Sequence, residues 1–171
     1  MTSRARREAP TTAPAERARE LALSILTRSP RSSADLRARL IAKEIEPEVA
    51  DEVIGRYLEV GLLDDASLAA TIARTRHAER GLAPRAIAQE LRRKGFDEDH
   101  IRSALEPLTS DIQEDTAREL AAKRWARDAA VAPEARVRRT VSYLGRKGYP
   151  TSLAFALVRD LQRADSEADN F

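Results

Sequence analysis

Leu40-Ile41-Ala42-Lys43-Glu44-Ile45, Leu91-Arg92-Arg93-Lys94-Gly95-Phe96 and Leu144-Gly145-Arg146-Lys147-Gly148-Tyr149 share one pattern, Leu-x-x-Lys-(Gly/Glu)-apolar. The first two copies start 51 residues apart and the next two 53. Each is followed by apolar residues in a fixed register: Ala50, Val53, Ile54, Tyr57; then Ile101, Ala104, Leu105, Leu108; then Ala154, Leu157, Val158, Leu161. The spacing i, i+3, i+4, i+7 places each set on one face of a helix. A recurring period of this length marks an array of like units, each too small to be stable alone and each stacked on its neighbours.

The phrase itself predicts how a helix stops. With Gly95 just past the helix end in the left-handed conformation, a Schellman ending brings the Leu91 and Phe96 side chains together. Gly148, Leu144 and Tyr149 repeat the arrangement, and the lysine in the last turn meets the negative end of the helix dipole. Glu44 replaces glycine in the first copy, which predicts an ending strained by roughly 1 kcal/mol or differently shaped.

Working outward, each unit divides into three helices. In the first, Ala18, Leu21, Ala22 and Ile25 mark helix one. Ser32-Ser33-Ala34-Asp35 has capping-box spacing ahead of Leu36 and Leu40, and Pro47 suits the first position of helix three. The second unit opens at Asp64-Asp65, Asp64 as N-cap and Asp65 complementing the dipole. Its later helices start at Ala83-Pro84 and Asp97. In the third unit, helices around Leu120 to Arg127, after Ala132-Pro133 and after Tyr149-Pro150-Thr151 follow the same plan. Pro133 precedes Leu144 by eleven residues where Pro84 precedes Leu91 by seven, so the third middle helix is about one turn longer. The expected fold is all-α, an elongated curved array of three tandem three-helix repeats at residues 16–63, 64–109 and 110–163. A flexible arm (1–15) precedes it and a frayed acidic tail (164–171) follows.

Composition narrows the function classes. There is no cysteine among the 171 residues, which excludes a disulfide framework, a thiolate metal site and cysteine catalysis. The N-terminus lacks the apolar core of a signal peptide, and no apolar run approaches membrane-spanning length, so a cytoplasmic protein is expected. No phosphate loop, nucleophile elbow, paired-acid motif or metal-binding histidine pair is present, so the reading assigns no catalysis, metal or cofactor. The net charge is only +2, from 30 basic and 28 acidic residues, but the cations cluster in the second and third repeats.

The order and spacing resemble the RecX family, regulatory proteins of the RecA recombinase. The likeness rests on Gly61-Leu62-Leu63-Asp64-Asp65-Ala66-Ser67-Leu68-Ala69, on Arg76 and Gly81, and on Leu91-Arg92-Arg93-Lys94-Gly95-Phe96, with three repeats over residues 17–163. Leu68 stands where the family usually has an aromatic and Glu44 where glycine is common, departures that touch local packing and helix termination. The resemblance implies a small, non-enzymatic cytoplasmic protein, and a monomer is expected. It also implies binding to the RecA filament on single-stranded DNA, typically in the filament groove, and limiting of its ATP hydrolysis, strand exchange and growth.

Candidate contacts come from the basic faces. If Ile87 and Leu91 face the core, Arg85, Gln89 and Arg92 form an outward stripe with Arg93 beside it. If Val137, Val141 and Leu144 face inward, Arg139, Tyr143 and Arg146 form another, flanked by Lys123, Arg124, Arg127 and Arg136. Guanidinium groups suit phosphates and Tyr143 suits stacking on an unpaired base. Solvated helix faces in an arginine-rich protein explain the stripes equally well. Asp64 and Asp65 read as caps rather than metal ligands, as do Gly95 and Gly148 at the helix ends. His77 and His100 read as surface or boundary histidines, Trp125 as core, and Arg76 as a bridge within its repeat. Two rival functions stay open. One is direct DNA binding, single- or double-stranded, through helix-turn-helix-like units. The other is a scaffold for another acidic protein, although the period is not that of 34-residue two-helix arrays.

Overall fold

A computed structural model describes residues 13–168, and every regular element among them is helical. Chain order is α1 (Pro14–Arg28), α2 (Ser33–Ile41), α3 (Pro47–Glu59), α4 (Asp65–Arg80), α5 (Pro84–Arg93), α6 (Glu98–Leu105), α7 (Ser110–Arg127), α8 (Pro133–Arg146) and α9 (Thr151–Ala168). They group as three tandem three-helix repeats. Two compact units result, the first ending at Leu68 and the second starting at Ala69.

Proline occupies the first position of α1, α3, α5 and α8, where its missing N–H would have had no partner. Ser32 accepts from the Asp35 N–H and Asp97 from the His100 N–H, each satisfying an orphan donor. The three Leu-x-x-Lys phrases end their helices alike. The N–H of Ile45, Phe96 and Tyr149 reaches the carbonyl of Leu40, Leu91 and Leu144 at 3.1, 3.2 and 3.2 Å. Gly95 and Gly148 take φ of 83° and 94°, and Glu44 takes 63° despite its side chain. The leucines at these endings are fully buried. The α8 helix has 14 residues and α5 has 10, a difference of about one turn.

Two expectations need correction. Leu108 lies outside α6, which closes at Leu105, because Pro107 cannot supply the N–H that another turn requires. The segment from residue 164 is not frayed over its described part: α9 runs to Ala168, held by Asp165. The proposed arm and residues 169–171 lie outside the described residues, apart from Ala13 to Ala15.

In the first unit α1, α2 and α3 enclose Ala18, Ala22, Leu36, Leu40, Val53 and Ile54. Tyr57 donates its hydroxyl to the Arg19 carbonyl at 3.2 Å. Asp65 accepts from both the N–H and the hydroxyl of Ser33, so it caps α2 as well as lying in the first turn of α4. Asp64 accepts from the Ser67 N–H at 2.9 Å. In the second unit the row Ala117, Ala121, Trp125 of α7 packs its first two members with Leu144, Tyr149, Ala154 and Leu157.

The joint between the second and third repeats lies inside this second unit. The Ala83 N–H donates to the Lys147 carbonyl at 2.8 Å, and the Lys147 ammonium to the Arg80 carbonyl. Tyr149 donates to the Gly81 carbonyl at 3.0 Å, and burial pushes its phenol up to about 12. His77 contacts the Leu82 carbonyl through Nδ1 and Thr116 through Nε2. A β-carbon at Gly148 would lie 2.8 Å from that of Ala86, so only glycine lets α5 and the end of α8 approach so closely.

Candidate nucleic-acid interface

The basic residues separate into those spent inside the fold and those left over. Arg136 is internal. Its guanidinium stacks 3.9 Å over the Trp125 ring, donates to the Trp125 carbonyl at 2.9 Å and pairs with Asp165 at 2.7 Å. Asp165 also accepts the Trp125 indole N–H at 2.9 Å. Arg124 pairs with the nearly buried Asp128 at 2.9 Å. Tyr143, expected on an outward stripe, is instead half-buried against the core, with Arg124 and Lys147 beside its ring at 5.7 and 5.2 Å. The reason is rotational: Thr140 and Leu144 form the innermost row of α8, while Val137 and Val141 take its flank. That turn carries Tyr143 inward and leaves Arg138 exposed.

Arg92 forks onto Glu98 at 2.6 and 2.9 Å, an exposed pair that lowers the carboxyl and raises the guanidinium through their hydrogen bond. Lys123 reaches Glu119 only at 3.8 Å, an exposed contact of little energetic weight. Arg76, near its helix's apolar edge, bridges α4 to α5 through Glu90 at 2.8 Å.

What remains in the second unit is a set of exposed arginines that make no ion pair among the described residues: Arg85, Arg93, Arg127, Arg139 and Arg146 of the expected set, and Arg74, Arg80, Arg138 and Arg159, which the stripe argument missed. A cleft of about 230 Å³ lies where α5 passes the end of α8, lined by Arg85, Ala86, Gln89, Gly145, Arg146 and Gly148. Two cations and a carboxamide line it, with no carboxylate. The larger hollow of the first unit, about 770 Å³, carries both signs of charge, Arg19 and Arg56 against Glu52 and Glu59. A polyanion therefore finds its complement in the second unit. The cleft had no signal in the sequence: Gly148 reads there only as a helix stop, and its contact with Ala86 spans 62 positions.

Models of the RecX family match the chain three times in order: the first three-helix domain at residues 18–56, the second at 64–105 and the third at 111–158. The chain belongs to the RecX family. Regulatory protein RecX of Thermobifida fusca is 44% identical over 155 residues, spanning 91% of this chain and 84% of that protein. The Streptomyces coelicolor RecX is 38% identical over 165 residues, spanning 96% and 88%. The crystal structure of RecX from Lactobacillus salivarius has the same fold, with a TM-score of 0.76 at 21% identity over 87% of this chain and 97% of that one. A second RecX crystal structure gives a TM-score of 0.73 at 26% identity, over 86% and 72%. The RecX domains coincide with the helix triplets α1–α3, α4–α6 and α7–α9. No helix among the described residues is long and apolar enough to cross a membrane, and no group of three or more His, Asp or Glu among them could hold a metal.

Proposed function

We propose that the chain is a RecX-type modulator, mainly an inhibitor, of the RecA recombinase. It acts as a cytoplasmic monomer that binds the RecA–single-stranded-DNA filament and limits its ATP hydrolysis, strand exchange and growth. The role is one of binding; no residue is assigned to catalysis. The observation that carries the reading is the match of all three RecX domains in family order. The unpaired arginines of the second unit supply what a partner of a DNA-bearing filament needs. They are cations not already neutralised by the fold, available to displace condensed counterions.

The test is DNA-dependent ATP hydrolysis by the cognate recombinase while this protein is titrated in, with single-stranded DNA in excess. Inhibition at well below one molecule per recombinase supports the reading, and favours action on filament ends or disassembly over competition for DNA. An unchanged rate at every ratio, together with direct binding to DNA, would sink it in favour of a DNA-binding regulator.

A further inference from the structure

We propose that the cleft between α5 and the end of α8 seats one phosphate of a nucleic-acid backbone, held jointly by Arg85 and Arg146, and that filling it tightens the joint between the second and third repeats. This rests on the reading of the chain as a partner of a filament that carries single-stranded DNA.

The argument begins with the backbone. Two guanidinium groups at one cleft repel each other, and exposed side chains usually relieve this by swinging apart or by recruiting an acid. Other arginines of the second unit have acids: Arg76 has Glu90, Arg92 has Glu98, Arg124 has Asp128 and Arg136 has Asp165. No carboxylate lines this cleft. Its walls are fixed by contacts that do not involve the two arginines. These are the Gly148–Ala86 approach, the Ala83 N–H on the Lys147 carbonyl, the Lys147 ammonium on the Arg80 carbonyl, and Tyr149 on the Gly81 carbonyl. The fold thus holds two cations at one opening and leaves them uncompensated, a preorganised anion site.

The chemistry narrows the anion. Guanidinium forks match the paired oxygens of a phosphodiester, and the Gln89 carboxamide adds a donor on the same wall. The volume admits several waters at roughly 30 Å³ each, hence a tetrahedral anion with part of its hydration. Beyond the cleft, Arg139 lies two turns before Arg146 on the same face of α8, with Arg138 beside it, both without acids. A chain of phosphates can use that continuation and a single free anion cannot. Binding then joins α5 to α8 through the phosphate and removes the repulsion, which couples occupancy to the stability of the joint.

The test uses the full-length protein, labelled oligothymidine, and the variants Arg85→Ala, Arg146→Ala, their double and Gly145→Glu. Gly145 is exposed and a β-carbon there meets nothing within 4 Å, so Gly145→Glu places a carboxylate beside both arginines without a clash. If one phosphate is shared, each alanine variant loses about tenfold in affinity and the double loses little more, because the two residues act as a unit. The slope of log K against log salt falls by about 0.7 in all three, the value for one single-strand phosphate. Gly145→Glu lowers affinity to a similar degree while raising the melting temperature, a pair of signs that unfolding cannot produce. Losses that multiply in the double, with a slope change of about 1.4, would assign separate phosphates and overturn the proposal. So would Gly145→Glu binding oligothymidine as well as the wild type.

Melting with oligothymidine, inorganic phosphate or pyrophosphate at equal phosphorus distinguishes the sources. Stabilisation by the oligonucleotide beyond that of the small anions, lost in the double variant, supports the backbone. Equal stabilisation by all three assigns a free phosphoryl site instead and overturns the nucleic-acid assignment. Unchanged oligothymidine affinity in every variant, with weakened association to the filament, would give the cleft to a recombinase carboxylate. That result overturns this proposal and leaves the modulator reading standing. Failure of the wild type to slow the recombinase, whatever the oligothymidine results, is the separate failure of the modulator reading.

Discussion

Gly148 and Gly61 both sit at helix ends with positive φ, 94° and 72°, yet they have different neighbours. A β-carbon at Gly61 meets nothing within 4 Å, so Gly61→Ala costs only the left-handed backbone term, about 1–2 kcal/mol. At Gly148 the same term adds to overlap with the Ala86 side chain and backbone, which cannot rotate away. Gly148→Ala should cost about 2–5 kcal/mol, since overpacking alone adds roughly 1–3 kcal/mol to that term. Urea titration of the two variants checks the ranking, and equal losses would mean the α5–α8 joint is looser than its geometry. Glu44 is the mirror case, an exposed non-glycine at φ 63°. Glu44→Gly removes the β-carbon strain of about 1–2 kcal/mol and returns part of it as unfolded-chain entropy. A net gain of a few tenths to about 1 kcal/mol in the first unit's stability is expected, read from its melting temperature.

Helices α7, α8 and α9 are bound at one end by three side chains, one from each: Trp125, Arg136 and Asp165. Asp165→Ala strips the indole N–H and the guanidinium of their shared acceptor. Removing such a charged partner typically costs about 1.5–3 kcal/mol, discounted here because half of the Asp165 side chain is exposed. Trp125 is the sole tryptophan of the chain, so its emission reports the change directly. A shifted emission with the first unit's stability unchanged is expected, and an unmoved spectrum would show that stacking alone fixes the ring. The α4–α5 link behaves differently because it titrates. The Arg76 hydrogen bonds hold the Glu90 carboxyl below its usual range against the opposing effect of burial. A depressed carboxyl contributes stability above its unfolded pKa, near 4.3, and loses it as pH falls through the folded value. Wild type should therefore melt above Glu90→Gln at neutral pH, and the gap should narrow as pH falls below about 4.3. Element boundaries of this kind were legible in the sequence because their signals are local: a proline at the first turn, an aspartate at the cap, a glycine after the last leucine. Which arginines the fold consumes was not legible. Arg136 finds its acid 29 residues on and Arg76 finds its own 14 on, in helices whose relative rotation no periodicity specifies. Tyr143 was misplaced for the same reason, since Thr140 supplies an inward position that an apolar pattern passes over.

Charge at the scale of the molecule divides between the two compact units. Residues 13–68 carry 8 basic and 11 acidic side chains, and residues 69–168 carry 19 and 15. A total near zero thus conceals an acidic first unit and a basic second one, each described by its own core. If affinity for a DNA-bearing filament comes from counterion release, it depends on which cations are free, and a count of arginines misleads. Arg139→Glu with Arg146→Glu removes two unpaired cations of the second unit. Arg17→Glu with Arg28→Glu makes the same change of four charge units on exposed residues of α1 that also form no ion pair among the described residues. Both double variants should fold, since all four side chains are exposed at helix surfaces. The second-unit variant should lose at least tenfold in filament and single-stranded-DNA affinity at moderate salt, with a shallower salt dependence. The first-unit variant should change by less than threefold, an effect of long-range repulsion that salt beyond about 0.15 M screens away. Equal losses in the two would mean that net charge governs association and that the arrangement of arginines on α8 carries no information. A loss confined to the first-unit variant would move the contact surface to α1, where the hollow beside Arg19 and Tyr57 would become the site to probe.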